Sequence, residues 1–188
     1  IFAVDASGSA AVERLAETKG AIELLLAECY VRRDSVALIA FRGGEAETLL
    51  EPTRSLVRAK RSLQALPGGG GTPLASGILA ALEMARISVL KGQSVVTVFL
   101  TDGRGNIGLD GSILRERVAE DTTRTARLFR ASGQRSILID TAQRPQARAA
   151  SLAAELGAEY LPLPRGGARR LSREIGARME NEGNGFRA

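Results

Sequence analysis

The stretch Ile1-Phe2-Ala3-Val4-Asp5-Ala6-Ser7-Gly8-Ser9 changes from apolar to polar at a single residue. An apolar run of this kind is typical of a strand that is buried on both faces of a parallel sheet. The carboxylate and hydroxyls of D-x-S-x-S follow at every second position, so we expect them at the carboxyl end of that strand. Open α/β sheets bind their ligands at this edge. Taken alone, the string is equally typical of a turn that caps the next helix.

The ligand atoms offered by Asp5, Ser7 and Ser9 are all oxygens. Oxygen donors suit a hard cation such as Mg²⁺, with Mn²⁺ or Ca²⁺ as substitutes, better than they suit zinc or copper. The chain contains no histidine. This absence removes the usual general base of a serine triad and the commonest zinc ligand. The residue types therefore favour a magnesium site.

The composition is that of an ordinary globular domain, with 188 residues, 44% hydrophobic and 25% charged. We predict one domain over residues 1–180 and a polar, flexible tail at 181–188, and we expect a longer protein because the chain opens inside a strand. No apolar run is long enough to span a bilayer, so no membrane span is predicted. Cys29 lies at an apolar-periodic helix position and is predicted to be a small core residue.

The formal net charge is +5, but only 4% of the residues are aromatic. Nucleic-acid binding usually combines basic residues with aromatic stacking platforms, so we predict no nucleic-acid partner. The basic character is better suited to an acidic protein surface.

Strands and helices alternate along the rest of the chain. Helices are predicted after Ser9, at 55–66, from about 74, and at 112–131, 146–156 and 169–179. Strands are predicted at 36–41, 46–50, 94–102, 135–140 and 159–163. Pro52 should stop the strand at 46–50, which suits the edge of a sheet. In the helix at 112–131, Val118, Leu128 and Phe129 are expected to face the core. The pattern predicts an α/β fold with a doubly wound, mostly parallel six-stranded sheet and helices on both faces.

Two further segments carry side chains that suit a metal site. Thr101-Asp102-Gly103 repeats the opening pattern, because a buried strand ends on a carboxylate. If the two strands are neighbours, Asp5 and Asp102 lie at the same edge. The glycine run Gly68–Gly71 precedes Thr72. Such a run can cradle a phosphate, but the P-loop lysine is absent, and flexible linkers are its commoner use. A linker would leave the hydroxyl of Thr72 without a role, and we place Thr72 at the mouth of a mobile loop.

Together, Asp5-x-Ser7-x-Ser9, Thr72 and Thr101-Asp102-Gly103 resemble the metal ion-dependent adhesion site of the von Willebrand factor A (vWA, integrin I-like) domain family. The resemblance covers essentially the whole chain, and all five positions match. It implies a Rossmann-like fold whose short edge strand runs antiparallel. It also implies a metal ion held by Asp5, Ser7, Ser9, Thr72 and Asp102.

Longer strings narrow the resemblance to the C-terminal domains of magnesium chelatase D subunits. These strings are Phe2–Ser9, Ala37–Gly43, Leu66–Leu74 and Leu100–Ile107. The glycine-rich threonine loop and the string Arg104-x-Asn106-Ile107 are the most specific of these features.

By this resemblance, the domain is a non-catalytic, metal-dependent interaction module of an AAA+ complex. Such D subunits assemble with an ATP-hydrolysing I subunit and a porphyrin-binding H subunit to insert Mg²⁺ into protoporphyrin IX in (bacterio)chlorophyll biosynthesis, an ATP-dependent ligase reaction. An acidic side chain of the I subunit would complete the metal site, and Arg104 at the rim is a candidate contact for it. The implied location is the bacterial cytoplasm or the plastid stroma.

Two other functions fit parts of the sequence. The domain could serve a related AAA+ system, such as cobalt insertion in corrinoid synthesis or a MoxR-type chaperone. In a different class, Asp5 would be the nucleophile of a Mg²⁺-dependent phosphohydrolase resembling the haloacid dehalogenases. That chemistry generally uses a second aspartate two residues later as acid/base, and Ser7 occupies this position.

Overall fold

The computed structural model describes residues 1–7, 11–66 and 68–163, which contain six strands and five helices. The strands are β1 (Phe2–Asp5), β2 (Val36–Arg42), β3 (Glu45–Thr53), β4 (Val96–Thr101), β5 (Arg135–Asp140) and β6 (Glu159–Pro162). The helices are α1 (Ala11–Val31), α2 (Leu56–Gln64), α3 (Leu74–Leu90), α4 (Arg115–Ala131) and α5 (Ala147–Leu156).

The six strands form one sheet in the order β3-β2-β1-β4-β5-β6. All neighbours pair in parallel except β2 and β3, which are antiparallel. The predicted fold class, a doubly wound and mostly parallel sheet with one antiparallel edge strand, is therefore confirmed.

Each face of the sheet carries its own apolar core, because successive side chains of a strand point to opposite faces. On one face, Val4 and Leu100 pack with buried residues of α1 and α2. On the other face, Ala3 and Phe99 pack with buried residues of α3, α4 and α5. There the rings of Phe99 and Phe129 meet edge to face, with 5.2 Å between their centroids. Burial on both faces explains why the central strands are unbroken apolar runs.

The order of the strands reverses direction at β1. The chain passes from β1 to β2 on one side and later reaches β4 on the other side. In open α/β sheets, ligands bind in the crevice at such a switch point. Val4 pairs with Leu100, so Asp5 and Thr101 follow as the last residues of their strands. The two strand ends that carry the predicted site residues therefore lie side by side.

The edge strand is longer than predicted. β3 continues through Pro52 to Thr53, although Pro52 was expected to stop it. The proline is tolerated because β3 is the outermost strand, with β2 as its neighbour on one side, and because the register shifts between Val36 and Leu38 of β2. Its antiparallel direction agrees with the family resemblance.

Two predictions about α4 are wrong. The helix begins at Arg115 rather than Ser112, because Ser112 forms part of a turn: its N–H donates to Asp110 Oδ1, and its hydroxyl accepts from the N–H of Leu114. Leu128 is 50% exposed instead of facing the core. Phe129 takes the core position, and Leu128 lies about 100° away around the helix. Val118 and Phe129 are buried as predicted.

Other predictions concern Cys29, the membrane and the chain beyond residue 163. Cys29 is 5% exposed, which confirms its predicted place in the core. None of the helices in the described part of the chain combines the length and the apolar character that a membrane crossing requires. Ser9, the helix at 169–179 and the tail at 181–188 lie outside the described residues.

The carboxyl end of β5 is fixed by Asp140, which is 1% exposed. Its carboxylate accepts hydrogen bonds from the Tyr160 hydroxyl (2.7 Å) and from the N–H groups of Ala142 (2.9 Å) and Gln146 (3.2 Å). One carboxylate thus joins β5, β6 and the start of α5. Burial raises the pKa of Tyr160 to about 12, and the hydrogen bond and charge of Asp140 contribute to the increase.

We expect Tyr160→Phe to lower the free energy of unfolding by about 1–2 kcal/mol at neutral pH, because the Asp140 carboxylate loses a donor. The raised pKa means that the unfolded chain releases the tyrosine proton first. The stabilisation is therefore fully present below pH 10 and is lost as the pH rises to about 12. Urea denaturation of both proteins across this range measures the effect. The matched control is Tyr30→Phe, at a tyrosine that is 58% exposed. Equal losses from both substitutions would contradict a special role for the Asp140 contact.

Candidate metal centre

Asp5 is held from two sides at the end of β1. Its Oδ1 accepts hydrogen bonds from the Ser7 N–H (3.0 Å) and the Ser7 hydroxyl (2.6 Å). Its Oδ2 accepts from the hydroxyl of Thr101 (3.1 Å) at the end of β4. Aspartate commonly bonds in this way to the backbone two residues further on. The side chains of Asp5 and Ser7 are therefore fixed relative to each other and to the neighbouring strand.

Thr72 reaches the same place from a distant part of the chain. Its Oγ1 lies 2.5 Å from Ser7 Oγ, and Thr72 is only 6% exposed. The backbone of Thr72 is fully engaged. Its N–H donates to Asn106 Oδ1 (2.6 Å), and its C=O accepts from the N–H groups of Leu74, Asn106 and Ile107.

The glycine run before Thr72 is packed between neighbouring segments. Gly71 C=O accepts from the Gly43 N–H (2.8 Å), and the Gly69 N–H donates to Ala6 C=O (2.8 Å). A Cβ atom on Gly71 would lie 2.7 Å from Ile107 Cγ1 and 2.9 Å from Gly43 O, closer than real contacts allow. Glycine at this position lets the loop press against both neighbours. The run is thus part of the site's framework rather than a simple linker.

Asp102 lies just beyond β4 at the rim of the site. Its Oδ1 accepts from the Arg104 N–H (2.9 Å), and its Oδ2 lies 3.4 Å from Arg104 Nε. The side chain of Asp102 is 14% exposed and that of Arg104 is 59% exposed. Arg104 therefore places a solvent-accessible positive charge beside the predicted metal aspartate.

The electrostatics of this edge favour an added cation. Burial raises the pKa of Asp5, whereas the hydrogen bonds from Ser7 and Thr101 act in the opposite direction. The negative charge of Asp102 raises the Asp5 pKa further. A divalent cation would stabilise the Asp5 and Asp102 carboxylates, which repel each other in a partly desolvated environment.

The donor chemistry fits a cation of the Mg²⁺ class. Asp5, Ser7, Thr72 and Asp102 offer only carboxylate and hydroxyl oxygens, the ligands that hard cations prefer. Among residues 1–7, 11–66 and 68–163, no three aspartate, glutamate, cysteine or histidine side chains form a metal-binding cluster. A cation at this edge would therefore depend on hydroxyl oxygens as well as on the two carboxylates.

Four of the five predicted metal ligands thus lie at one sheet edge, and the fifth, Ser9, lies outside the described residues. The sequence prediction did not include Thr101 or Asn106 among the site residues. Thr101 donates a hydrogen bond to Asp5, and Asn106 accepts one from Thr72. Both residues lie within strings that carried the family resemblance. The sequence feature that could have indicated them is a side chain able to form hydrogen bonds within four residues of Asp102.

Comparison with known proteins agrees with this architecture. A family model described as the von Willebrand factor type A domain matches residues 1–104. The chain belongs to this family. A solved structure, the von Willebrand factor type A from Catenulispora acidiphila, is 17% identical, with a TM-score of 0.64 over 94% of this chain and 41% of that chain. Similarity at this level of identity shows that the vWA fold is shared.

Curated relatives are similar over most of this vWA chain. The "Magnesium-chelatase 60 kDa subunit" of Cereibacter sphaeroides is 54% identical over 179 residues, which are 95% of this chain and 32% of the relative. The "Magnesium-chelatase 67 kDa subunit" of Chlorobaculum tepidum is 44% identical over 174 residues, which are 87% of this chain and 28% of the relative. The vWA chain therefore spans about a third of the length of these relatives or less.

We expect Gly71→Ala to lower the free energy of unfolding by about 1–3 kcal/mol, because the new methyl group overlaps Ile107 and the Gly43 backbone. The matched control is Gly44→Ala. A Cβ at Gly44 meets nothing within 4 Å, so its effect should stay within about 0.5 kcal/mol. Urea denaturation compares the two variants. Equal stability of both would show that the loop is not closely packed at Gly71.

Proposed function

We propose that this vWA domain is a metal-dependent protein-interaction module of a magnesium chelatase D-type subunit, where it supports assembly of the AAA+ complex. The main support is the convergence of Asp5, Ser7, Thr72 and Asp102 at one sheet edge, in a chain that is 54% identical to a magnesium-chelatase 60 kDa subunit. The domain itself is proposed to be non-catalytic.

Asp5, Ser7, Ser9, Thr72 and Asp102 would hold the ion, Mg²⁺ or a substitute such as Mn²⁺ or Ca²⁺. When bound, the ion supplies an electrophilic centre for a further oxygen ligand. The chain's own negative charge is already shared: both Asp5 oxygens accept hydrogen bonds, and Asp102 contacts Arg104. Because the charges of these two carboxylates are partly neutralised, a bound cation would keep its attraction for a carboxylate of another protein.

The incoming group is proposed to be an aspartate or glutamate of the chelatase I subunit, with the H subunit joining the assembled complex. The exposed guanidinium of Arg104 at the rim would attract the same carboxylate. The net charge of +5 also favours an acidic partner surface. Because the relatives that carry the chelatase name are bacterial proteins, we propose the bacterial cytoplasm as the location.

Binding of a purified magnesium chelatase I subunit to the chain, with Mg²⁺ and with EDTA, tests the proposal. Wild-type binding should require Mg²⁺, and Asp5→Ala and Ser7→Ala should each weaken it by about 10-fold or more, since both residues hold the ion. Glu83→Ala is the control, because Glu83 lies on α3 and its side chain is 64% exposed. Binding that survives EDTA and both substitutions would refute the proposed role of the metal.

Two alternatives give different results in the same assay. A domain that serves a cobalt-insertion or MoxR-type system would bind the corresponding AAA+ partner in preference to the chelatase I subunit. A phosphohydrolase would release phosphate from p-nitrophenyl phosphate with Mg²⁺ and lose this activity in Asp5→Asn. The structure adds no observation in favour of this chemistry, since the Ser7 hydroxyl beside Asp5 is not an acid/base group of the kind that hydrolysis needs.

A further inference from the structure

The string Arg104-Gly105-Asn106-Ile107 has a role that the proposed metal ligands do not explain. Arg104 contacts Asp102, but Asn106 turns back to the loop that carries Thr72. The two segments are 34 residues apart in sequence. They meet where the loop after β4 passes the start of α3.

Asn106 forms two hydrogen bonds with the backbone of Thr72. Its side-chain Oδ1 accepts from the Thr72 N–H (2.6 Å), and its own N–H donates to the Thr72 C=O (3.0 Å). Two hydrogen bonds to one residue fix its orientation as well as its position. The next residue, Ile107, donates to the same carbonyl and covers the space beside Gly71. The threonine loop and the string after Asp102 are thus packed as one unit.

The hydrogen bonds between Asn106 and Thr72 connect the loops that carry two predicted metal ligands, Asp102 and Thr72. Asn106 lies four residues after Asp102 in the same loop, and Thr72 touches Ser7 through its hydroxyl. A shift of either loop would therefore displace the other. Thr72 is 6% exposed, so its N–H has little access to water as a replacement acceptor for Asn106 Oδ1.

We propose that Asn106 is a positioning residue of the metal site: its side-chain oxygen holds the Thr72 loop so that the Thr72 hydroxyl lies beside Ser7. The inference rests on the proposed metal-binding function and extends it to a residue that would not touch the ion. Asn106 itself is exposed, so truncation of its side chain removes little packing. Its effect should therefore appear in metal affinity more than in global stability.

Titration of the chain with Mn²⁺ and Mg²⁺ by isothermal calorimetry tests this role. Asn106→Ala should weaken binding by about 10-fold or more, the usual loss when a residue that orients a metal ligand is removed. Asn106→Asp keeps an acceptor oxygen for the Thr72 N–H and adds a negative charge, so its affinity should equal or exceed that of the wild type. The control is Gln93→Ala, an exposed side chain in the loop between α3 and β4. It should leave the affinity unchanged.

A double-mutant cycle separates positioning from general damage. If Asn106 acts through Thr72, Asn106→Ala should cause no further loss of affinity in a Thr72→Ala background. Hydrogen exchange of the Thr72 amide gives a second measurement that needs no metal. It should be faster by about 10-fold or more in Asn106→Ala and remain slow in Asn106→Asp.

Wild-type affinity in Asn106→Ala, or fully additive losses in the cycle, would overturn the inference. A wild-type chain that binds neither Mn²⁺ nor Mg²⁺ would instead overturn the proposed function. In that case the exchange rate of the Thr72 amide would still decide whether Asn106 holds the loop.

Discussion

The parallel pairing of β1 with β4 is the constraint on which the site depends. Both strands carry apolar side chains on each face, and each face packs into a different core. A slip of one residue would exchange the side chains between the two cores, so packing fixes the register. The register in turn sets Asp5 beside Thr101 and brings Asp102 to the same edge. The position of the charged groups is therefore a consequence of the apolar packing of the strands that carry them.

Three segments supply the polar side chains at this edge of the sheet. The turn after β1 contributes Ser7, the glycine loop contributes Thr72, and the loop after β4 contributes Asp102 and Asn106. Asp5 and the Ser7–Thr72 pair are held by hydrogen bonds between segments, and Asp102 is held by Arg104 of its own loop, so the donor oxygens are arranged before any ion arrives. The same arrangement leaves the Asp5 carboxylate largely buried and near the charge of Asp102, and both effects raise the pKa of Asp5. Perturbed pKa values of this kind are common at functional sites.

Much of the fold and part of the site could be predicted from the sequence. Buried parallel strands have an unmistakable apolar signal, and β5 was predicted with its observed bounds. The end of β3 was not, because Pro52 was expected to stop the strand, whereas an edge strand can continue through a proline where the missing N–H needs no partner. Leu128 was misplaced for a similar reason: periodicity gives a stripe of apolar positions, and packing against Phe99 decides which of them is buried. Asp5, Thr72 and Asp102 were predicted as site residues from their oxygen-bearing side chains together with the resemblance to the vWA family. Asn106 was not identified as a contact of Thr72, because hydrogen bonds between distant loops leave no spacing pattern.

The edge strand β3 bears on how this chain can associate. An exposed sheet edge presents unpaired backbone groups to which another strand can add, with aggregation as one result. β3 carries exposed Glu45, Glu47 and Glu51 along its length, together with Pro52, which lacks an N–H group. Repulsion between the glutamates of two such edges and the missing donor both oppose the addition of a strand from a second copy. Both features therefore discourage growth of the sheet by strand addition at β3.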